Sequence, residues 1–226
     1  MIQIQQLNKS FGSKEVLKNI DLTFEKGTIT GIVGENGAGK TTLFRCIAGL
    51  ENYEGTILSD ANPLKDKLGL LFTDPFFFSK ITGKEYLQFM CNARGVKIAD
   101  FNSRNIFDLP LNQYAMSYST GMKKKLAILA ILLQENDYFI FDEPFNGVDI
   151  QSNIVITEII LKLKEMNKTV LISSHIFSTL NDTCDKIHLL QDGEIKRTVE
   201  KNEFSELEAE MKAFAIGNKI DLLNLK

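Results

Sequence analysis

The stretch Thr28-Ile-Thr-Gly-Ile-Val33-Gly34-Glu35-Asn36-Gly37-Ala38-Gly39-Lys40-Thr41-Thr42 decides how this chain is read. Its first six residues form a short, mostly apolar, β-branched run, suited to a strand buried on both faces. Residues 34–41 fit GxxxxGK[ST], and a helix is expected over about 40–48, with Gly49 as its cap. Strand, glycine loop and helix in that order make a phosphate cradle. Glycines let successive N–H groups curl around phosphate oxygens, and the new helix turns its positive end to the same anion. Lys40 can reach the β- and γ-phosphates of a nucleotide, and the Thr41 hydroxyl can ligate Mg²⁺. A random chain of this length carries such a motif in roughly one case in a hundred.

Working outward, Ile2 and Ile4 alternate with polar residues, as do Ile20, Leu22 and Phe24, so strands are expected there. Further short strands are expected at 56–58 and 68–72. From 82 to about 134 the pattern is mainly helical, with 99–115 left open by mixed polarity and Pro110. Residues 126–133 are apolar on every side, so their helix is expected to be packed on most faces. The last third returns to alternation: a strand at 138–141, an amphipathic helix at 153–166 and a strand at 169–173. Strands at 186–191 and 194–199 flank Asp192-Gly193, a strong hairpin signal. The expected organisation is one α/β domain over residues 1–205, with a helical subdomain at about 75–135, and a short tail at 206–226.

The 226 residues carry 26 basic and 29 acidic side chains, a net charge of −3, and are 44% hydrophobic. That is ample material for a core and excludes a disordered chain. With a pI of about 5.6 there is no strongly basic surface, and no nucleic-acid partner is expected. Cys46, Cys91 and Cys184 are far apart and form no CxxC, which argues against a disulfide framework or a zinc site. The N-terminus does not read as a signal peptide. The longest apolar run falls well short of the ~20 residues that span a bilayer, so a cytosolic protein is the default expectation.

Two further segments carry chemistry. Tyr138-Phe-Ile-Phe-Asp142-Glu143 is an apolar strand ending in two acids, where ligands of open α/β sheets gather. Asp142 can hold Mg²⁺, and Glu143 can orient or deprotonate an attacking water. Tyr118-Ser119-Thr120-Gly121-Met122 precedes Lys123-Lys124-Lys125, with Ser119 or Thr120 a good N-cap. Three lysines in a first turn oppose the helix dipole unless an anion lies nearby, so the run reads either as a solvated charged face or as a second phosphate-binding helix start facing another nucleotide.

The order of Gly34 to Thr42, Tyr118 to Met122, Asp142-Glu143 and then His175 in Ile172-Ser-Ser-His175 resembles the ATP-binding cassette (ABC) ATPases, over about residues 2–200. The resemblance implies a P-loop NTPase fold with a mixed-sheet core, an N-terminal antiparallel β-subdomain and an inserted helical subdomain. It implies ATP and Mg²⁺ as ligands. Residues Gly34, Glu35, Asn36, Gly37, Ala38, Gly39, Lys40, Thr41 and Thr42 then correspond to the Walker A loop. Asp142 is similar to the Walker B aspartate and Glu143 to the catalytic glutamate. His175 resembles the switch histidine that contacts the γ-phosphate, and Asn146 to Asp149 the D-loop. Phe11 sits where an aromatic stacks on adenine. Ser119 and Gly121 look like the signature positions that grip ATP held by the opposite subunit of a head-to-tail dimer, and the three lysines are then expected to face that triphosphate. Partners implied are a second, identical cassette and a multi-spanning membrane permease. These would place the chain on the inner face of the cell membrane and couple hydrolysis to transport, export being the expected direction.

The family's Q-loop usually carries Gln where this chain has Thr73, whose shorter hydroxyl can still ligate metal. Phe76-Phe77-Phe78 follows, and three consecutive apolar residues in a loop rarely all point inward. The expectation is that Phe76 or Phe77 touches a partner. Two other readings remain open at this point: a non-transport ABC ATPase, such as one serving iron–sulfur assembly, and a small-molecule kinase, which leaves Tyr118–Met122 and His175 unaccounted for.

Overall fold

The computed structural model describes residues 1–175 and 177–216. The alternation at the N-terminus builds a three-stranded antiparallel sheet, in which β1 (Ile2–Phe11) lies between β2 (Lys14–Phe24) and β4 (Glu54–Ser59). Ile2 pairs with Phe24 and Ile4 with Leu22, and all four join one buried cluster.

The apolar run before the glycine loop becomes β3 (Ile29–Val33), buried at every residue. It lies inside a six-stranded sheet with β5 (Leu68–Leu71), β6 (Tyr138–Asp142), β7 (Thr169–Ser173), β8 (Lys186–Gln191) and β9 (Glu194–Glu200), in the order β5-β6-β7-β3-β8-β9. The first five are parallel and β9 returns antiparallel to β8. That return is made at Asp192 and Gly193, both left-handed with φ of 51° and 81°, as an Asp-Gly hairpin turn requires.

The described residues also form six α-helices: α1 (Lys40–Ile47), α2 (Gly83–Asn92), α3 (Thr120–Leu133), α4 (Ile150–Glu165), α5 (Phe177–Thr183) and α6 (Phe204–Ile216). Strand alternation sorts the core into two halves. Ile32, Tyr138, Ile140 and Leu171 face α1 and the three-stranded sheet. Val33, Phe139, Phe141 and Ile172 face the other way, onto Leu126 and Ile128 of α3 and Ile156 and Ile160 of α4. The six-stranded sheet is therefore a middle layer, held on both faces. Residues 126–131 of α3 are all buried, as its all-round apolar pattern led one to expect. The three cysteines are free and buried, one in α1, one in α2 and one just after α5.

The helical expectation for 82–134 is corrected. Helix forms only in α2 and α3, and the intervening stretch holds two 3₁₀ turns, at Asn102–Arg104 and Ala115–Ser117. Local turn chemistry wins there. Gly95 takes a φ of 69°, and the Asn105 side chain bonds both the N–H and the carbonyl of Leu109, at 3.1 and 2.8 Å. The boundary expected at residue 205 falls inside α6, which buries Phe204 and Leu207 in the helical half of the core; residues 217–226 of the expected tail lie outside the described residues. No helix among the described residues is long and apolar enough to cross a membrane.

Candidate active site

Four adjacent parallel strands deliver the chemistry to one edge. β3 runs into the glycine loop, β7 ends at Ser173 two residues before His175, β6 ends at Asp142, and β5 is followed by Thr73. Their carboxyl ends open on a cleft of about 1040 Å³, the place where open α/β sheets hold ligands. Phe11, the loop residues 34–37 and 39–42, Thr73, Asp142, Glu143 and His175 all line it. Ala38 does not; its N–H turns back to the Glu35 carbonyl at 3.1 Å. Ser119 and Gly121 are absent from the cleft and sit at the start of α3.

The glycine loop is shaped by close approach as well as by turning. A Cβ on Gly34 would lie 2.1 Å from the Leu190 carbonyl oxygen, so no other residue fits between β3 and β8 there. Lys40 is buried and donates to the carbonyls of Gly34 at 2.7 Å and Glu35 at 3.1 Å, closing the loop on itself. Burial holds its pKa below the ordinary lysine value, against the opposing pull of the Glu143 and Asp142 charges. Phe11 ends β1, half-exposed at the cleft mouth, with the Lys9 ammonium 4.4 Å from its ring centre.

Asp142 gathers three hydroxyls. Thr41 and Thr73 donate to its Oδ2 at 2.7 and 2.8 Å, and Ser173 donates to Oδ1 at 2.6 Å. Thr41, Thr73 and Asp142, the three expected metal ligands, are thus brought within hydrogen-bond reach of one carboxylate. They offer hard oxygens only, the donor set that suits Mg²⁺ rather than a softer metal.

Glu143 holds a φ of 53°, a left-handed conformation that costs an ordinary side chain about 1–2 kcal/mol. Such strain persists only where the surroundings over-determine it. Its N–H donates to the Ser173 hydroxyl at 3.0 Å and the Ser173 carbonyl at 3.2 Å. Its carbonyl accepts from Lys124 Nζ at 2.7 Å. Its carboxylate Oε2 lies 2.7 Å from His175 Nδ1, so the two expected catalytic side chains are in direct contact.

The start of α3 is capped as expected, Ser119 accepting from the Met122 N–H at 3.3 Å. The lysine expectation is corrected for Lys124 and Lys125, two of the three. Lys124 is only 1% exposed and points inward to the Glu143 carbonyl. Lys125 pairs with Asp149 Oδ2 at 3.3 Å and with the Ser152 hydroxyl at 3.1 Å. Neither faces outward to a foreign triphosphate; the dipole conflict is met by groups of the same chain. Asp149 in turn caps α4, and hydrogen bonds from the Ser152 N–H and hydroxyl, helped by Lys125, hold its carboxyl down at about 2. A Cβ on Gly121 would come within 2.8 Å of the Gly147 carbonyl, so glycine is what lets these two segments touch.

The phenylalanine run alternates. Phe77 is buried, its ring tilted on Tyr86 at 4.7 Å, which removes it as a partner contact. Phe76 is 74% exposed and meets Phe78 edge-on, and Phe78 meets Phe89 of α2 in the same way. Sequence reasoning missed Ser173, which serves both acids, and Lys14 and Val16, which line the cleft beside Phe11. A hydroxyl closing the apolar run Val170-Leu-Ile172 was the available signal for Ser173.

Comparison with known proteins agrees with this arrangement. Residues 17–146 match the family model described as ABC transporter. The chain is 34% identical over 215 residues to the ABC transporter ATP-binding protein NatA of Bacillus subtilis (strain 168), covering 86% of this chain and 87% of that one. It is 32% identical over 220 residues to the bacitracin transport ATP-binding protein BcrA of Enterococcus faecalis, covering 92% and 70%. A dimeric structure of the ATP-binding cassette MJ0796, in a post-hydrolysis state bound to ADP and Pi, shares the fold with a TM-score of 0.81 at 21% identity, over 89% of this chain and 99% of that one. With its phosphate loop, capped α3 and paired acids in this order, the chain belongs to the ABC transporter family and is an ATPase of the ATP-binding subunit type.

Proposed function

We propose that this chain powers export through a separate multi-spanning permease, working as a head-to-tail homodimer that binds two Mg·ATP on the inner face of the cell membrane. The observation that carries the reading is the convergence of Lys40, Thr41, Thr73, Asp142, Glu143 and His175 on one cleft at the strand ends. The loop N–H groups from Gly34 to Thr42 and the start of α1 bind the phosphates, and Phe11 stacks on the adenine. Thr41, Asp142 and Thr73 would hold Mg²⁺, which would neutralise charge on the phosphate oxygens. Glu143 takes a proton from the water that attacks the γ-phosphorus, the bond to the β-phosphate oxygen breaks, and ADP leaves. Lys40 and His175 stabilise the charge that develops, together with Ser119 and Gly121 of the other subunit. The 2.7 Å contact between His175 and Glu143 supports a base held in place by the switch histidine. The likeness to a bacitracin transport ATP-binding protein supports transport as the work done.

The test is Glu143→Gln. It is expected to bind ATP, to accumulate an ATP-dependent dimer in size-exclusion chromatography with light scattering, and to lose turnover by about 10²–10⁴-fold. Unchanged turnover would refute Glu143 as the base. Purification from native membranes is expected to bring down a multi-spanning protein; an iron–sulfur assembly partner in its place would overturn the transport reading.

A further inference from the structure

We infer that Lys124 is a positioning residue that fixes the start of α3 to the backbone of Glu143, so that the two half-sites contributed by one subunit are set together. This rests on the head-to-tail reading, in which the start of α3 serves one ATP and Glu143 the other.

The observation is a buried ammonium with one specific bond among the described residues. Lys124 is 1% exposed and donates to the Glu143 carbonyl at 2.7 Å. The helix beyond it is apolar, with every residue from 126 to 131 buried. An apolar side chain would fill that place without the cost of burying a charge. Desolvation indeed holds the Lys124 pKa below the usual value, opposed by the charges of Asp74, Glu143 and Asp142. What the lysine supplies is a fixed distance to one carbonyl.

That carbonyl belongs to a residue whose backbone is strained. Glu143 sits at a φ of 53°, with its N–H held by Ser173 of β7 and its carbonyl held by Lys124 of α3. The two restraints differ in origin. Ser173 ends the strand beside β6, which leads directly into Glu143, and carries no information about α3. Lys124 belongs to the helix that Ser119 caps. Two further contacts make the same junction rigid: Gly121 lies against the Gly147 carbonyl, and Lys125 bonds Asp149 and Ser152. A displacement of α3, as its first turn closes on nucleotide, is therefore passed to the peptide that carries the base.

The experiment compares the purified wild-type chain with Lys124→Met and Ser173→Ala. It measures steady-state ATPase against ATP concentration, ATP binding and thermal melting. Wild type is expected to show a Hill coefficient above 1, toward the limit of about 2 for two sites. Lys124→Met is expected to stay folded but melt below wild type, because it leaves the Glu143 carbonyl without its buried donor. It should bind ATP as wild type does, turn over about 10–100-fold more slowly with little change in KM, and have a Hill coefficient near 1. Ser173→Ala should slow turnover but keep the wild-type Hill coefficient, and Lys124→Arg, which keeps a donor, should recover part of the cooperativity. If Lys124→Met fails to fold, Lys124→Leu, which also lacks a donor, is read the same way. A cooperative wild type with an equally cooperative Lys124→Met overturns the link alone. A non-cooperative wild type, together with no ATP-dependent dimer in Glu143→Gln, overturns the head-to-tail reading and the link with it.

Discussion

His188 should make this fold acid-sensitive, by an amount that can be worked out. It lies on β8, 4% exposed, directly across from Thr198 of β9, whose hydroxyl is 2.8 Å from its Nδ1. Its ring meets Phe24 edge-on at 6.1 Å, and its Nε2 has no partner among the described residues. Burial, helped by the charge of Lys186, pushes the pKa down from 6.5 to about 4. Between those two values the unfolded chain binds a proton that the folded chain refuses, so stability falls as the pH drops. The penalty is about 0.2 kcal/mol at pH 7 and about 2 kcal/mol at pH 5, approaching its full value of about 3 kcal/mol only below pH 4. His188→Gln removes the titration and keeps a polar group beside Thr198. Urea unfolding of both proteins at pH 7 and pH 5 isolates the residue, because every other titrating group is common to both. Wild type is expected to lose about 2 kcal/mol more than the variant between the two pH values. Equal losses in the two proteins would refute the argument and show that His188 is protonated in the folded state.

Two more predictions follow from the same geometry. Phe77→Ala should cost about 3–5 kcal/mol in urea unfolding, because it empties a buried site against Tyr86, whereas Phe76→Ala should change stability by less than about 0.5 kcal/mol; similar costs for both would overturn the alternation. Thr73→Val keeps the shape but removes the hydroxyl that bonds Asp142. The Mg²⁺ concentration giving half-maximal ATPase should then rise about fivefold, the value of one lost interaction of about 1 kcal/mol, and an unmoved Mg²⁺ curve would place Thr73 outside the metal's reach.

Features encoded by neighbours in the chain were legible. The strand, loop and helix around Gly34 are set by short-range rules, as is the Asp192-Gly193 turn, and an all-round apolar helix has few options but burial. The family resemblance carried by the order of the motifs brought Thr41, Thr73 and Asp142 together on paper, and the strand order does so in space. Side-chain direction was less legible, because it depends on groups far away in the chain. Lys124 turns inward for a carbonyl 19 residues on, and Ser173 serves acids 31 and 30 residues back. Residues 93–119 failed for the opposite reason: Asn105 bonding the Leu109 backbone is a local event too small to disturb a periodicity count. In the phenylalanine run, composition alone could not select Phe77 as the inward ring; that follows from where Tyr86 stands on α2.

The buried cysteines have a practical consequence. Cys46, Cys91 and Cys184 are each at most 1% exposed, and burial pushes the thiols of Cys46 and Cys184 up to about 11 and about 12. Since the thiolate is the form that reacts, maleimide dyes at neutral pH should leave all three untouched. A cysteine introduced at Ile150, which is 80% exposed beside Asp149, would then be the single labelled position. A donor dye on one copy and an acceptor on another would report how closely two chains approach as nucleotide is added, without removing any native residue from the core.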